Sequence, residues 1–171
     1  MSGGERERKF NDWLSDSKAI LFKVVHAYAF THADRQDLFQ EILVRLWRSM
    51  DQFQGESSLS TWVYRIALNT SIDWTRREVR HRNGKRPFDE VQDLLTIEPV
   101  DNCDPRLEWL YQQIAKLSDI DRSVMLLLLD GYAYNEIASI VGISQSNVGV
   151  KINRIKSSLL TESIETRNNE S

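Results

Sequence analysis

The sequence predicts an all-α protein: two small helical domains joined by an acidic linker. Three observations carry this. Apolar residues recur at three- and four-residue spacing, and no segment alternates with period two. Proline is confined to Pro87, Pro99 and Pro105, which leaves the flanking stretches free to form long helices. The charge also changes sign along the chain. Residues 1–86 hold 15 Lys/Arg and 11 Asp/Glu, a net of +4, whereas residues 87–171 hold 7 and 14, a net of −7.

A chain of 171 residues suffices for one ordinary domain or two small ones. Its 41% hydrophobic and 27% charged residues read as globular, and a net charge of −3 argues against nucleic-acid binding by bulk charge alone. No apolar run of about 18 residues is present, so no membrane insertion is expected. The opening stretch MSGGERERKFNDW has no apolar core, so no secretory signal is expected and the cytoplasm is the expected compartment. Cys103 stands alone, which excludes an internal disulfide or a Cys-based zinc site. His26, His32 and His81 lack metal-ligand spacing, so neither a metal nor a cofactor is expected.

The elements follow in order. Ile20, Leu21, Val24, Val25, Tyr28 and Ala29 mark a first amphipathic helix. Leu38, Phe39, Ile42, Leu43, Leu46, Trp47 and Met50 mark the inner side of a second, with Asp37, Gln40, Glu41, Val44 and Arg48 opposite. Trp47 is expected in the core or half-buried. The break FQGESS turns at Gly55, and Ser57 or Ser58 caps a third helix. Leu59, Val63, Ile66, Ala67 and Thr70 face inward there, and the helix runs out into the arginines from Arg76 to Arg86. The first domain thus covers 1–81 and the linker 82–103.

Asp104 caps the second domain, 104–162, with Pro105 at the first helical position. Leu107, Leu110, Tyr111, Ile114 and Leu117 form a helical face. Ser118 caps the next helix, which contains VMLLLL and ends at Gly131. A buried strand is the other reading of that apolar run. The polar tail, 163–171, is expected to be disordered.

Residues 134–159 carry the strongest local signal. Ile137, Ala138 and Val141 edge a short helix, Gly142 ends it left-handed, Ile143 plugs the corner and Ser144 caps a second helix. Val148, Ile152, Ile155 and Leu159 face inward on that helix. Gln145, Ser146, Asn147, Val150, Lys151, Asn153 and Arg154 remain outside. This is a helix-turn-helix pattern, whose second helix enters a major groove. Asn and Gln suit adenine, while Lys and Arg suit guanine or phosphate. A plain helical hairpin with a polar surface is the alternative.

In the third helix, Trp62, Tyr64 and Trp74 interleave with Arg65, Asn69, Arg76 and Arg77. Such a helix suits unstacked bases and phosphates of a single strand. Rings on an amphipathic helix also serve as core, and both readings stand.

The stretch DLFQEILVRLWRSMDQFQGESSLSTWVYRIALNTSIDWTRR, from Asp37 to Arg77, resembles domain 2 of bacterial RNA polymerase sigma factors of the extracytoplasmic-function (ECF) group. Leu117 to Leu159 resembles sigma domain 4. The resemblance covers most of the chain and implies a mechanism without enzymatic activity. Asp37, Gln40, Glu41, Arg45 and Trp47 would dock on the clamp of the largest subunit of core RNA polymerase. Phe53, Ser57, Ser58, Trp62, Tyr64, Arg65, Asn69, Asp73, Arg76 and Arg77 would bind the minus-ten promoter element, melted with a base flipped out. Ser144, Gln145, Ser146, Asn147, Val150, Lys151, Asn153, Arg154 and Lys156 would read the minus-thirty-five duplex, with this domain on the flap of the second large subunit. Promoter DNA and an inhibitory anti-sigma factor are the further partners implied. The linker would thread the RNA channel.

The chain departs from the family's pattern at Asn147, often Thr, at Gly149, often basic, and at Ala133, commonly a Ser or Thr cap. Asn135 is the expected substitute cap, and Gly149 is expected to allow close approach to the DNA backbone. The competing function is a stand-alone helix-turn-helix regulator that binds a palindrome as a dimer. An enzyme is disfavoured, because no phosphate loop, metal cluster or nucleophile–base pattern occurs.

Overall fold

A computed structural model describes residues 3–81 and 104–169, all helices and connecting turns. The chain divides into two compact units, Met1–Asn102 and Cys103–Ser171. The linker read at 82–103, with Cys103, lies outside the described residues.

Among the described residues the first unit packs three long helices: α1 (Gly3–Tyr28), α2 (His32–Ser49) and α3 (Leu59–His81). Helix α1 starts far earlier than its apolar period suggests. Its first turns are charged, and Phe10 and Trp13 anchor them through aromatic contacts. Helix α3 packs on both others. The core is Leu21, Val24, Val25 and Tyr28 from α1, Leu38, Ile42 and Leu46 from α2, and Val63, Tyr64, Ala67, Leu68 and Trp74 from α3. Two buried hydroxyls bond back within α3, Thr70 Oγ1 to the Ile66 carbonyl at 2.6 Å and Ser71 Oγ to that of Ala67 at 2.8 Å. Neither is left unsatisfied.

Capping fixes the boundaries. Thr31 Oγ1 accepts from the Asp34 amide at the start of α2. A single 3-10 turn, Met50–Gln52, closes that helix. Gly55 then takes a φ of +75°, a region open to glycine at little cost. Of the two serines, Ser58 is the cap: its Oγ accepts from the Thr61 amide at 3.1 Å.

The described residues of the second unit form four helices: α4 (Pro105–Ala115), α5 (Asp119–Leu129), α6 (Tyr134–Val141) and α7 (Gln145–Asn169). Asp104 and Ser118 cap α4 and α5 as expected. The VMLLLL run is helical, not a strand, and its Val124, Met125, Leu126 and Leu127 are buried. Ile114, Ile137, Ile140, Val148, Ile152 and Ile155 complete the core. Arg122 Nη2 donates to the Ala115 and Leu117 carbonyls, a cation on the open end of α4.

Several expectations need correction. Leu107, Phe39 and Trp47 are exposed rather than inward: Leu107 shares the face of Ile114 but lies in the first turn of α4, and Phe39 and Trp47 lie off the Leu38–Ile42–Leu46 stripe of α2. The tail from 163 continues α7 to Asn169, since no Gly or Pro interrupts it. The α6 cap is not Asn135. Glu136 Oε2 accepts from the Ala133 amide at 2.7 Å, half of a capping box whose other half Ala133 has no oxygen to make.

Candidate nucleic-acid and polymerase interfaces

In the second unit the motif closes as its residues require. Gly142 has a φ of +80°, and the Gly142 and Ile143 amides both donate to the Ala138 carbonyl. Ser144 Oγ accepts from the Asn147 amide at 3.2 Å, which starts α7. Buried Val148, Ile152 and Ile155 fix the rotation of α7. That rotation leaves Ser144, Gln145, Ser146, Asn147, Val150, Asn153, Arg154 and Lys156 exposed along one outer surface. Val150 is 64% exposed, an apolar side chain that packing within the unit does not explain.

Two cations of this surface are not free. Lys151 Nζ lies 2.8 Å from Asp121 Oδ1, and Arg154 Nη2 lies 2.7 Å from Asp121 Oδ2. Lys151 is drawn in from the surface, while Arg154 keeps most of its side chain in solvent. A Cβ on Gly149 would meet the Tyr134 ring of α6 at 3.7 Å, an ordinary van der Waals contact.

In the first unit, α2 and α3 lie side by side, and their outer residues join in pairs. Trp74 Nε1 donates to Asp37 Oδ2 at 2.8 Å. Arg45 Nη1 meets Asp73 Oδ2 at 3.0 Å, Arg45 also reaches Glu41, and Arg77 pairs with Glu41. Glu41 and Arg45, assigned to polymerase, thus form one polar seam with Asp73 and Arg77, assigned to the minus-ten element. Gln40 is exposed beside it. Trp47 sits at the rim with Phe10 edge-on at 5.1 Å and the Arg6 guanidinium over its ring. Val44 and Phe39 add exposed apolar surface to α2.

At the turn before α3, Phe53, Trp62 and Trp13 form an aromatic trio with ring centroids 5.2–5.4 Å apart. Ser57 is partly exposed and Ser58 is exposed beside it, with Arg65, Asn69, Asp73, Arg76 and Arg77 along the outer side of α3. Tyr64 does not belong to that side. It is fully buried, and its ring is core rather than a stacking surface for a base. Trp74 is likewise buried. Trp13, Phe10 and Asp121 are the site-shaping residues that sequence reasoning missed. Each acts across helices, and the aromatic period of Phe10 and Trp13 was the only available sign.

Among the described residues no group of His, Cys, Asp and Glu could hold a metal, and no helix is long and apolar enough to cross a membrane.

Residues 15–81 match the sigma-70 region 2 family and residues 107–159 the sigma-70 region 4 family. The chain is 30% identical over 170 residues to the RNA polymerase sigma factor YlaC of Bacillus subtilis, covering 95% of this chain and 98% of that protein. It is 26% identical over 142 residues to the ECF RNA polymerase sigma-E factor of Escherichia coli K12, covering 74% and 72%. The fold resembles the sigma factor RpoE of Bartonella quintana, solved with the anti-sigma factor NepR. The TM-score is 0.69 at 22% identity, over 88% of this chain and 93% of that one. It also resembles CnrH, solved with the cytosolic domain of CnrY, with a TM-score of 0.63 at 21% identity, over 92% and 90%. With a region 2 helical bundle and a region 4 helix-turn-helix in one chain, this protein belongs to the ECF-type RNA polymerase sigma factors, non-enzymatic subunits that direct the polymerase to promoters.

Proposed function

We propose how the work is divided among these residues. The outer edge of α2 docks on the clamp of the largest polymerase subunit through Asp37, Gln40, Glu41, Arg45 and Trp47, with Phe39 and Val44 as added apolar contact. The turn and outer face of α3 take the melted minus-ten strand through Phe53, Ser57, Ser58, Trp62, Arg65, Asn69, Asp73, Arg76 and Arg77. Tyr64 supports that face from inside. Helix α7 reads the minus-thirty-five duplex through Ser144, Gln145, Ser146, Asn147, Val150, Asn153, Arg154 and Lys156, with Lys151 held behind them, and this unit rests on the flap.

The single observation that carries the reading is the pairing of two surfaces in one chain: an exposed polar face on α7 with an unsupported Val150, and a polar, arginine-bearing face on α3. The first suits a major groove and the second a single strand. An extended segment of about 20 residues spans at most about 70 Å, enough for two sites more than two helical turns apart. Two weak sites held on polymerase act at high effective concentration, which overcomes the repulsion expected of a chain of net −3. The linker, in this reading, threads the RNA channel. The reading places the protein in the cytoplasm with polymerase and promoter. An anti-sigma factor covering the docking faces is the further partner, supported by the likeness to a fold solved with such a protein.

The test is transcription with purified core polymerase from the DNA upstream of this protein's own gene, beside a gel shift with the protein alone. A discrete transcript only in the combined reaction, with no shift by free protein, is expected. No transcript together with a tight duplex shift by free protein would replace this reading with a stand-alone regulator.

A further inference from the structure

Asp121 sits in the first turn of α5, where its amide donates to the Ser118 cap. An acid at this position commonly turns back toward its own helix end. This one, besides its bond with the Ser118 hydroxyl, reaches across to α7, to Lys151 at 2.8 Å and Arg154 at 2.7 Å. Those two lie three residues apart and therefore on one side of α7. One carboxylate, 10% exposed, serves both cations with separate oxygens. Burial alone raises the carboxyl's pKa. The hydrogen bond and charge of Lys151, the charge of Arg154 and the Ser118 hydroxyl outweigh it and hold the group below its ordinary value. The Asp121 carboxylate is thus a stable anion set against the duplex-reading helix.

An anion there is the opposite of what generic DNA affinity requires. Each Lys or Arg that reaches a phosphate displaces a counterion and strengthens binding to any sequence. Here the Lys151 side chain is drawn to 19% exposure, and Nη2 of the Arg154 guanidinium is occupied while its side chain stays 62% exposed. We propose that Asp121 is a specificity-determining residue of the helix-turn-helix: it withholds Lys151 and orients Arg154, so that duplex binding depends on the base-reading face rather than on phosphate attraction. The inference rests on the assignment of α7 as the duplex reader. Asp121 acts through the two cations and is a positioning residue.

The test measures binding of the full chain to a generic 30-base-pair duplex by fluorescence anisotropy, at salt from 50 to 200 mM. Asp121→Asn is expected to bind about five- to tenfold tighter at the low-salt end, with a log–log salt slope steeper by about 0.9 for each cation released. Glu165→Gln, which removes an exposed acid elsewhere on α7, is expected to leave the slope unchanged. Adding Lys151→Gln and Arg154→Gln to Asp121→Asn is expected to bring the slope back to the wild-type value or below it, because Arg154 already contributes in the wild type. An unchanged slope for Asp121→Asn, or a gain that persists in the triple variant, would overturn the inference. A folding defect in the variants is bypassed by amine labelling of the wild-type protein, in which Lys151 is expected to react several-fold more slowly than exposed Lys156. Equal rates would overturn it as well. Wild-type protein that supports no promoter-dependent transcription with core polymerase would remove the underlying assignment, whereas working wild type with an unchanged Asp121→Asn slope removes only this inference.

Discussion

Arg45 Nη1 lies 3.0 Å from Asp73 Oδ2, and this contact ties the edge of α2 proposed for polymerase to the face of α3 proposed for nucleic acid. With Glu41–Arg77 beside it, the seam makes the two proposed surfaces neighbours on one compact unit. Both side chains of the Arg45–Asp73 pair are substantially exposed, so the pair adds little to stability. Asp73→Asn is expected to cost less than about 1 kcal/mol in chemical denaturation. A larger loss would show that the seam is structural first.

The aromatic trio is different, because it fastens the start of α1 to the turn before α3. Trp13 contacts both Phe53 and Trp62 edge-on. Trp13→Ala is expected to cost about 2–3 kcal/mol, below a full core truncation because the ring is only partly buried. Urea denaturation checks this, and a loss under about 0.5 kcal/mol would contradict the packing described.

Tyr64 separates core from contact. Its fully buried ring predicts that Tyr64→Ala destabilises the first unit by about 3–5 kcal/mol. Tyr64→Phe, which keeps the ring, is expected to leave promoter melting within about twofold of wild type. Permanganate footprinting of open complexes reads this directly. A selective loss of melting in the Phe variant, with stability intact, would return Tyr64 to the DNA face.

His26 gives the fold a mild acid sensitivity. Burial lowers its pKa from the ordinary 6.5; the hydrogen bond to the Phe22 carbonyl opposes this and the nearby Arg35 charge reinforces it. The folded state therefore favours the neutral ring. Its contribution is complete above about 6.5 and falls as pH drops from there through the folded pKa, where the unfolded chain takes up the proton first. Denaturation midpoints between pH 7.5 and 5.5 should fall for wild type and fall less for His26→Gln. Equal slopes would refute the assignment.

What the sequence made legible was local. Gly142, Ile143 and Ser144 specify a turn by their own backbone and capping chemistry, and Val148, Ile152 and Ile155 set the rotation of α7 without reference to any partner. What stayed hidden were contacts between helices. Periodicity identifies which face of α5 is apolar, but not that Asp121 at its polar margin meets Lys151 thirty residues later. Tyr64 and Arg65 are adjacent, so a small error in the assumed rotation of α3 exchanges a core ring for a surface one. Glu136 caps α6 because its side chain is long enough to reach back to Ala133, a substitution that a search for Ser or Thr at the cap itself does not find.

The most direct measurement is transcription by core polymerase with this protein from a library of randomised upstream sequences, reading which templates yield transcripts. The account predicts enrichment of two separate sequence blocks more than two helical turns apart, the downstream one melted, and none of it without the protein. A single palindromic block, or transcripts independent of the protein, would contradict it.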